Sequence, residues 1–109
     1  MDEKTSLDMI DLPSNWKDDV EVIENEERIA ILEKLKERPW AVRELSEELG
    51  ISPERVVHHI NMLRRAKSLQ LKDDWVQQNS FGKVYSVNKK VAQIYLDTVR
   101  SLAERLAKA

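Results

Sequence analysis

The sequence predicts a mostly α-helical fold with a small β-hairpin wing and a long C-terminal helix. Three observations lead there. Apolar residues recur three and four apart from Trp16 to Leu63, the spacing that places them on one face of a helix. The spacing falls to two in Leu69–Leu71 and again in Tyr85–Val87, as in half-buried strands. It becomes helical again after Asn88, where Tyr95, Val99, Leu102 and Leu106 form a coiled-coil-like seam.

Each element has its own local cause. Residues 1–13 are acidic, hold few apolar anchors and end at Pro13, so they read as an N-terminal arm. Ser14 and Asn15 can cap a first helix from Trp16 to Ile23. Asn25 caps a second, Glu26 to Arg38, with Ile29, Leu32 and Leu35 on one stripe and Pro39 as its stop. A third runs from Val42 to Leu49, carries Leu45 on the same face, and is closed by Gly50. After a connector of only Gly50 to Ser52, a fourth helix starts with Ser52 as N-cap and Pro53 at its first position. It is expected to reach Ala66, with Val56, Ile60 and Leu63 inward. Two strands joined by the polar turn QQNSFG follow, and a last helix from Asn88 to Ala107.

Three helices, a tight turn, a fourth helix, then a hairpin, then a last helix, is the order of a winged helix-turn-helix. The expected parts are the arm (1–13), the winged domain (14–88) and a C-terminal dimerisation helix (89–109). At 109 residues the chain suits a single domain with one modest core. With 41% apolar and 35% charged residues it is too hydrophobic for a disordered segment. No apolar run approaches the roughly 20 residues of a membrane helix, and the acidic N-terminus does not resemble a signal peptide. No membrane partner and a cytoplasmic setting are therefore expected. The absence of cysteine removes disulfides, thiolate metal sites and a thiol nucleophile. Two glycines in the whole chain cannot make a phosphate loop, and pairs such as Glu47–Glu48 and Asp18–Asp19 read as solvated surface. No enzyme, cofactor or metal site is expected. The net charge of −2 hides an asymmetry: residues 1–50 sum to −8 and residues 51–109 to +6. A basic face belongs in the second half.

The stretch WAVRELSEELGISPERVVHHINMLRRA, followed by a hairpin and GKVYSV, resembles the ArsR-like winged helix-turn-helix transcription regulators. The resemblance spans about residues 20–107. ENEERIAILEKLKERP is similar to that family's lead-in helix, ELSEELGIS to its first motif helix and turn, and SPERVVHHINMLRRA to its recognition helix, with His59 before the buried Ile60. Two departures stand out. Where the family commonly has a glycine after the recognition helix, this chain has AKSLQL. The family's metal sensors use cysteines in the first motif helix or Asp, His and Glu sets on the terminal helix; here there is no cysteine, and Asp97 and Glu104 lack a histidine.

Given that fold, helical periodicity turns Glu54, Val57, His58, Asn61, Arg64 and Arg65 outward on the recognition helix. In a major groove Glu54 could accept from cytosine, Val57 touch a thymine methyl, His58 donate to a purine and Asn61 pair with adenine. Arg64, Arg65 and Lys67 suit phosphates, as do Lys72 and Lys83 at the wing base, although Asp73 and Asp74 oppose phosphate there. His58 and His59 point about 100° apart and cannot readily share an ion. Tyr95, Val99, Leu102 and Leu106 are expected at a homodimer seam, helped by Leu7, Met9, Ile10 and Leu12 of the arm. The leading expectation is a sequence-specific regulator of double-stranded DNA, acting as a homodimer with an unknown effector. The alternative is a winged-helix protein-interaction module in a larger assembly, which the acidic first half would suit.

Overall fold

A computed structural model describes residues 16–75 and 82–108. The arm and the hairpin tip, with Gln77, Gln78, Asn79, Ser80 and Phe81, lie outside the described residues. The elements are α1 (Trp16–Ile23), α2 (Glu26–Glu37), β1 (Trp40–Ala41), α3 (Val42–Leu49), α4 (Pro53–Leu63), a 3-10 turn (Lys67–Leu69), β2 (Lys72–Trp75), β3 (Lys83–Ser86) and α5 (Lys89–Lys108). Mostly helical with a small sheet, this is the winged helix-turn-helix that the sequence predicts.

The caps act as their residue types require. Asn25 Oδ1 accepts from the backbone N–H groups of Glu27 and Arg28, at 2.9 and 3.1 Å. Arg38 leaves α2 in an extended conformation, which the following Pro39 demands. Glu44 Oε1 accepts from the Ala41 N–H at 2.9 Å, and Gly50 closes α3 at φ +70°. Ser52 Oγ accepts from the Arg55 N–H at 3.2 Å with Pro53 at the first position of α4. Asn88 Oδ1 caps α5 through the Val91 N–H.

Three expectations change. The sheet has three strands, in the order β1-β3-β2, both pairs antiparallel. Trp40 pairs with Tyr85 and Ala41 with Val84, a strand of two residues that no periodicity can signal. α4 stops at Leu63, not Ala66, because the chain turns so that Ala66 and Leu69 enter the core, both fully buried. Leu69 thus lies in a 3-10 turn and Leu71 ahead of the strand, so β2 is Lys72–Trp75. At that turn Gln70 takes the left-handed conformation, φ +52°, a region that favours glycine.

The core lies between α1, α2, α4 and the first half of α5. Val56, Ile60 and Leu63 are buried as expected, together with Ile31, Leu32, Leu35 and Leu45. α5 contributes Val91, Ala92, Tyr95 and Leu96 to the same cluster. Polar bonds along its edge tie α5 to α2: Lys36 Nζ to Gln93 Oε1 at 2.8 Å, and Arg100 to Glu33 at 2.6 Å. The first half of the terminal helix therefore belongs to the chain's own core. Among the described residues no helix is long and apolar enough to cross a membrane.

Candidate nucleic-acid interface

α4 buries one face and leaves the other in solvent. Glu54, Val57, His58, Asn61, Arg64 and Arg65 are all exposed, while Val56, His59, Ile60 and Leu63 are buried. Val57, at 43% exposure, and Leu102, at 38%, are the large hydrophobic residues most open to solvent among the described residues. Among the described residues, no hydrogen bond or ion pair engages Glu54 or Asn61.

The cations are placed differently from one another. Among the described residues the Arg65 side chain reaches Met62 Sδ, at 3.7 Å, and Lys67 and Lys72 are exposed. Asp73 on β2 takes up two of the rest: its carboxylate lies 3.3 Å from Lys83 Nζ and 3.5 Å from Arg64 Nη2. The Lys83 ammonium, and then Arg64, hold the Asp73 carboxyl below its ordinary range. The Arg64 guanidinium also sits 5.7 Å over the Tyr85 ring, so it is anchored to the wing root. Among the expected DNA contacts, then, Glu54, Val57, His58, Asn61 and Arg65 share one open helix face, whereas Arg64 and Lys83 converge on a counter-charge.

His59 is 5% exposed and fully engaged. Arg28 Nε donates to its Nδ1 at 3.2 Å, and its Nε2 lies 2.8 Å from Glu27 Oε1. With Nδ1 accepting, the ring proton sits on Nε2 and is given to Glu27. Both nitrogens are thus spent, and the adjacent His58 ring, 5.4 Å away and tilted by 57°, cannot join it around an ion. Glu27 also binds Arg55 Nη2 through Oε2, at 2.7 Å. The His59 bond first, then Arg55, lowers the Glu27 pKa from its ordinary value.

A second polar cluster lies at the root of the motif. Asp19 on α1 is 4% exposed. Its Oδ2 accepts from Ser68 Oγ at 3.0 Å and from the Tyr95 hydroxyl at 3.1 Å, and the two hydroxyls are in hydrogen-bond contact with each other. Burial, then the Asp19 charge, raises the Tyr95 pKa, since both disfavour a phenolate. Three elements meet here: α1, the turn after α4, and α5. The sequence reading of Asp18–Asp19 as solvated surface fails at Asp19, which falls on the stripe of Trp16, Val20 and Ile23, where a buried carboxylate has to find partners.

The expected seam residues divide. Tyr95 is fully buried in the chain's own core, which removes it from any face open to a second chain. Val99 packs partly against that core, and Leu102 is exposed. The side chain of Leu106 lies outside the described residues. Leu102, Ile94, Trp16 and Val20 line a groove of about 900 Å³ between α1 and α5, rimmed by Asp18, Glu21, Glu24 and Asp97.

Residues 25–66, from the cap of α2 to the turn just after α4, match the family described as bacterial regulatory protein, arsR family. Among curated proteins, none matches the chain significantly. Two solved structures of ZitR from Lactococcus lactis share the fold. A double mutant in apo form is 20% identical with a TM-score of 0.57, over 77% of this chain and 62% of that one. A single mutant is 16% identical with a TM-score of 0.56, over 99% of this chain and 80% of that one. This chain thus spans less than two thirds of the first.

Proposed function

We propose that this chain, whose residues 25–66 match the arsR family of bacterial regulatory proteins, is a DNA-binding transcription regulator of that family and acts as a sequence-specific homodimer with α4 in the major groove. arsR-family proteins are regulators rather than enzymes. The observation that supports this reading best is the open face of α4, where Val57 and the polar side chains around it are exposed and Glu54 and Asn61 are unspent. Asn61 is suited to adenine, Val57 to a thymine methyl, Glu54 to cytosine and His58 to a purine. Arg65, Lys67 and Lys72 neutralise phosphate, joined by Arg64 and Lys83 once Asp73 yields to the duplex. The setting is the cytoplasm, where such a regulator meets its DNA.

The second copy packs on the second half of α5 and the groove beside α1, with Val99, Leu102 and Leu106 at the seam. Exposed Leu102 above an apolar groove supports that placement. A two-fold dimer sets two recognition helices about 34–36 Å apart, so the operator is palindromic.

Selection on randomised duplexes tests the reading. Asn61→Ala should relax one base position, a loss of about 1–3 kcal/mol of discrimination, while Arg65→Ala weakens all sequences alike. Equal sequence profiles for wild type and Asn61→Ala would remove Asn61 from the reading set. A wild type that selects no sequence would favour a protein-interaction module instead.

A further inference from the structure

We infer that Arg55 is a phosphate-binding residue of the DNA interface, aimed by Glu27, and that Glu27 strengthens DNA binding although it is an acid. This rests on the DNA-binding reading and adds a contact to it. Arg55 is the third residue of α4. At about 100° per residue it lies on the flank between the outward face centred on Glu54 and Asn61 and the buried face that holds His59. A side chain on the flank of a helix lying in the major groove faces the groove wall, which is sugar and phosphate.

Its geometry suits that place. The Arg55 side chain is 62% exposed, yet it is held by the 2.7 Å bond from Nη2 to Glu27 Oε2. The other carboxylate oxygen of Glu27 is fixed by buried His59, and His59 in turn by Arg28. The chain of bonds runs from the core outward and ends on a guanidinium. That group has five N–H donors in a rigid fork, so one edge held by a carboxylate leaves the opposite edge able to take a phosphate oxygen. An exposed arginine otherwise loses rotamer freedom when it binds, and Glu27 makes that loss before DNA arrives.

The sign of one substitution separates positioning from simple neutralisation. If Glu27 only cancelled the charge of Arg55, Glu27→Gln would tighten DNA binding by removing a negative charge beside phosphate. With Glu27 aiming Arg55, Glu27→Gln weakens it. The test is fluorescence anisotropy with a short labelled duplex of arbitrary sequence, across a salt series, for wild type, Glu27→Gln, Arg55→Ala and the double variant. Arg55→Ala removes an exposed side chain, and thermal melts confirm folding of all four. The expected result is a several-fold affinity loss for each single variant and a log–log salt slope shallower by about 0.9 for each Arg55 contact removed. In the Arg55→Ala background, Glu27→Gln costs nothing further. Glu27→Gln binding as tightly as wild type or tighter, or losses that add in the double variant, would overturn the inference while leaving DNA binding intact. A wild type that does not bind duplex at low salt would overturn the DNA-binding reading and the inference with it.

Discussion

Removing a single oxygen from the core probes how the recognition helix is fixed to the rest of the protein. In Tyr95→Phe the ring stays in its fully buried site, so no large cavity opens. The bond to Asp19 at 3.1 Å and the contact with Ser68 are lost. Asp19 keeps only the Ser68 bond at 3.0 Å, in a site where the carboxylate is 4% exposed. Hydrogen bonds to charged groups contribute about 1.5–3 kcal/mol, and the surviving Ser68 bond limits the damage, so a loss of about 2 kcal/mol is expected. For a chain of this size that is a drop of roughly 10 °C in Tm. Thermal and urea unfolding measure it. The difference between wild type and variant should not change with protein concentration, because the lost bonds lie within one chain. The pH dependence has a definite sign. The folded phenol titrates above its ordinary value of 10.0, so its contribution is present below pH 10 and fades as pH rises through the folded value. Wild type should therefore lose stability above pH 10 faster than Tyr95→Phe. A variant as stable as wild type at neutral pH, or a difference that grows with concentration, would refute the placement of Tyr95 in a single-chain core.

Further outcomes follow from the same geometry. Asp73→Asn removes a negative charge from beside Arg64 and the wing base, so duplex affinity should rise several-fold at low salt and the gain should shrink as salt increases; anisotropy titrations check it, and unchanged affinity would place Arg64 away from DNA. Leu102→Glu puts a charge at the exposed apolar position above the groove between α1 and α5, and should yield folded monomers with weak operator binding; sedimentation decides, and a dimeric Leu102→Glu protein would move the seam elsewhere. The Glu27 carboxyl titrates below its ordinary 4.5, so its share of stability is present above that value and lost as pH falls through the folded one; the stability gap between wild type and Glu27→Gln should close as pH falls below 4.5 and through the folded value, and a gap constant in pH would contradict the His59 and Arg55 bonds to it.

The helices were legible because their causes are local. Asn25, Gly50, Ser52 and Pro53 mark ends by their own chemistry, and α1 and α3 have the bounds the sequence predicts. The inward face of α4 was legible from spacing alone. What depends on distant partners was not. β1 exists because Trp40 and Ala41 meet Tyr85 and Val84, more than 40 residues on. The shift of β2 to Lys72–Trp75 follows from Leu69 serving the core, which outweighs its alternation with Leu71. Tyr95 lies on a regular 4-3-4 stripe, but spacing cannot say whether such a stripe meets its own chain or another. At the interface, outward residues followed from the helix period, whereas the ties of Arg64 to Asp73 and of Arg55 to Glu27 cross between elements and leave no sequence signal.

Binding of the wild-type chain to duplex DNA from its own promoter region, followed over a range of salt, tests the central claim most directly. A dimer that neutralises three or four phosphates per subunit should bind tightly at low salt with a log–log slope of roughly −5 to −7. Absence of binding at low salt, or binding indifferent to salt, would contradict a DNA-reading α4 and leave the exposed Val57 face to another partner.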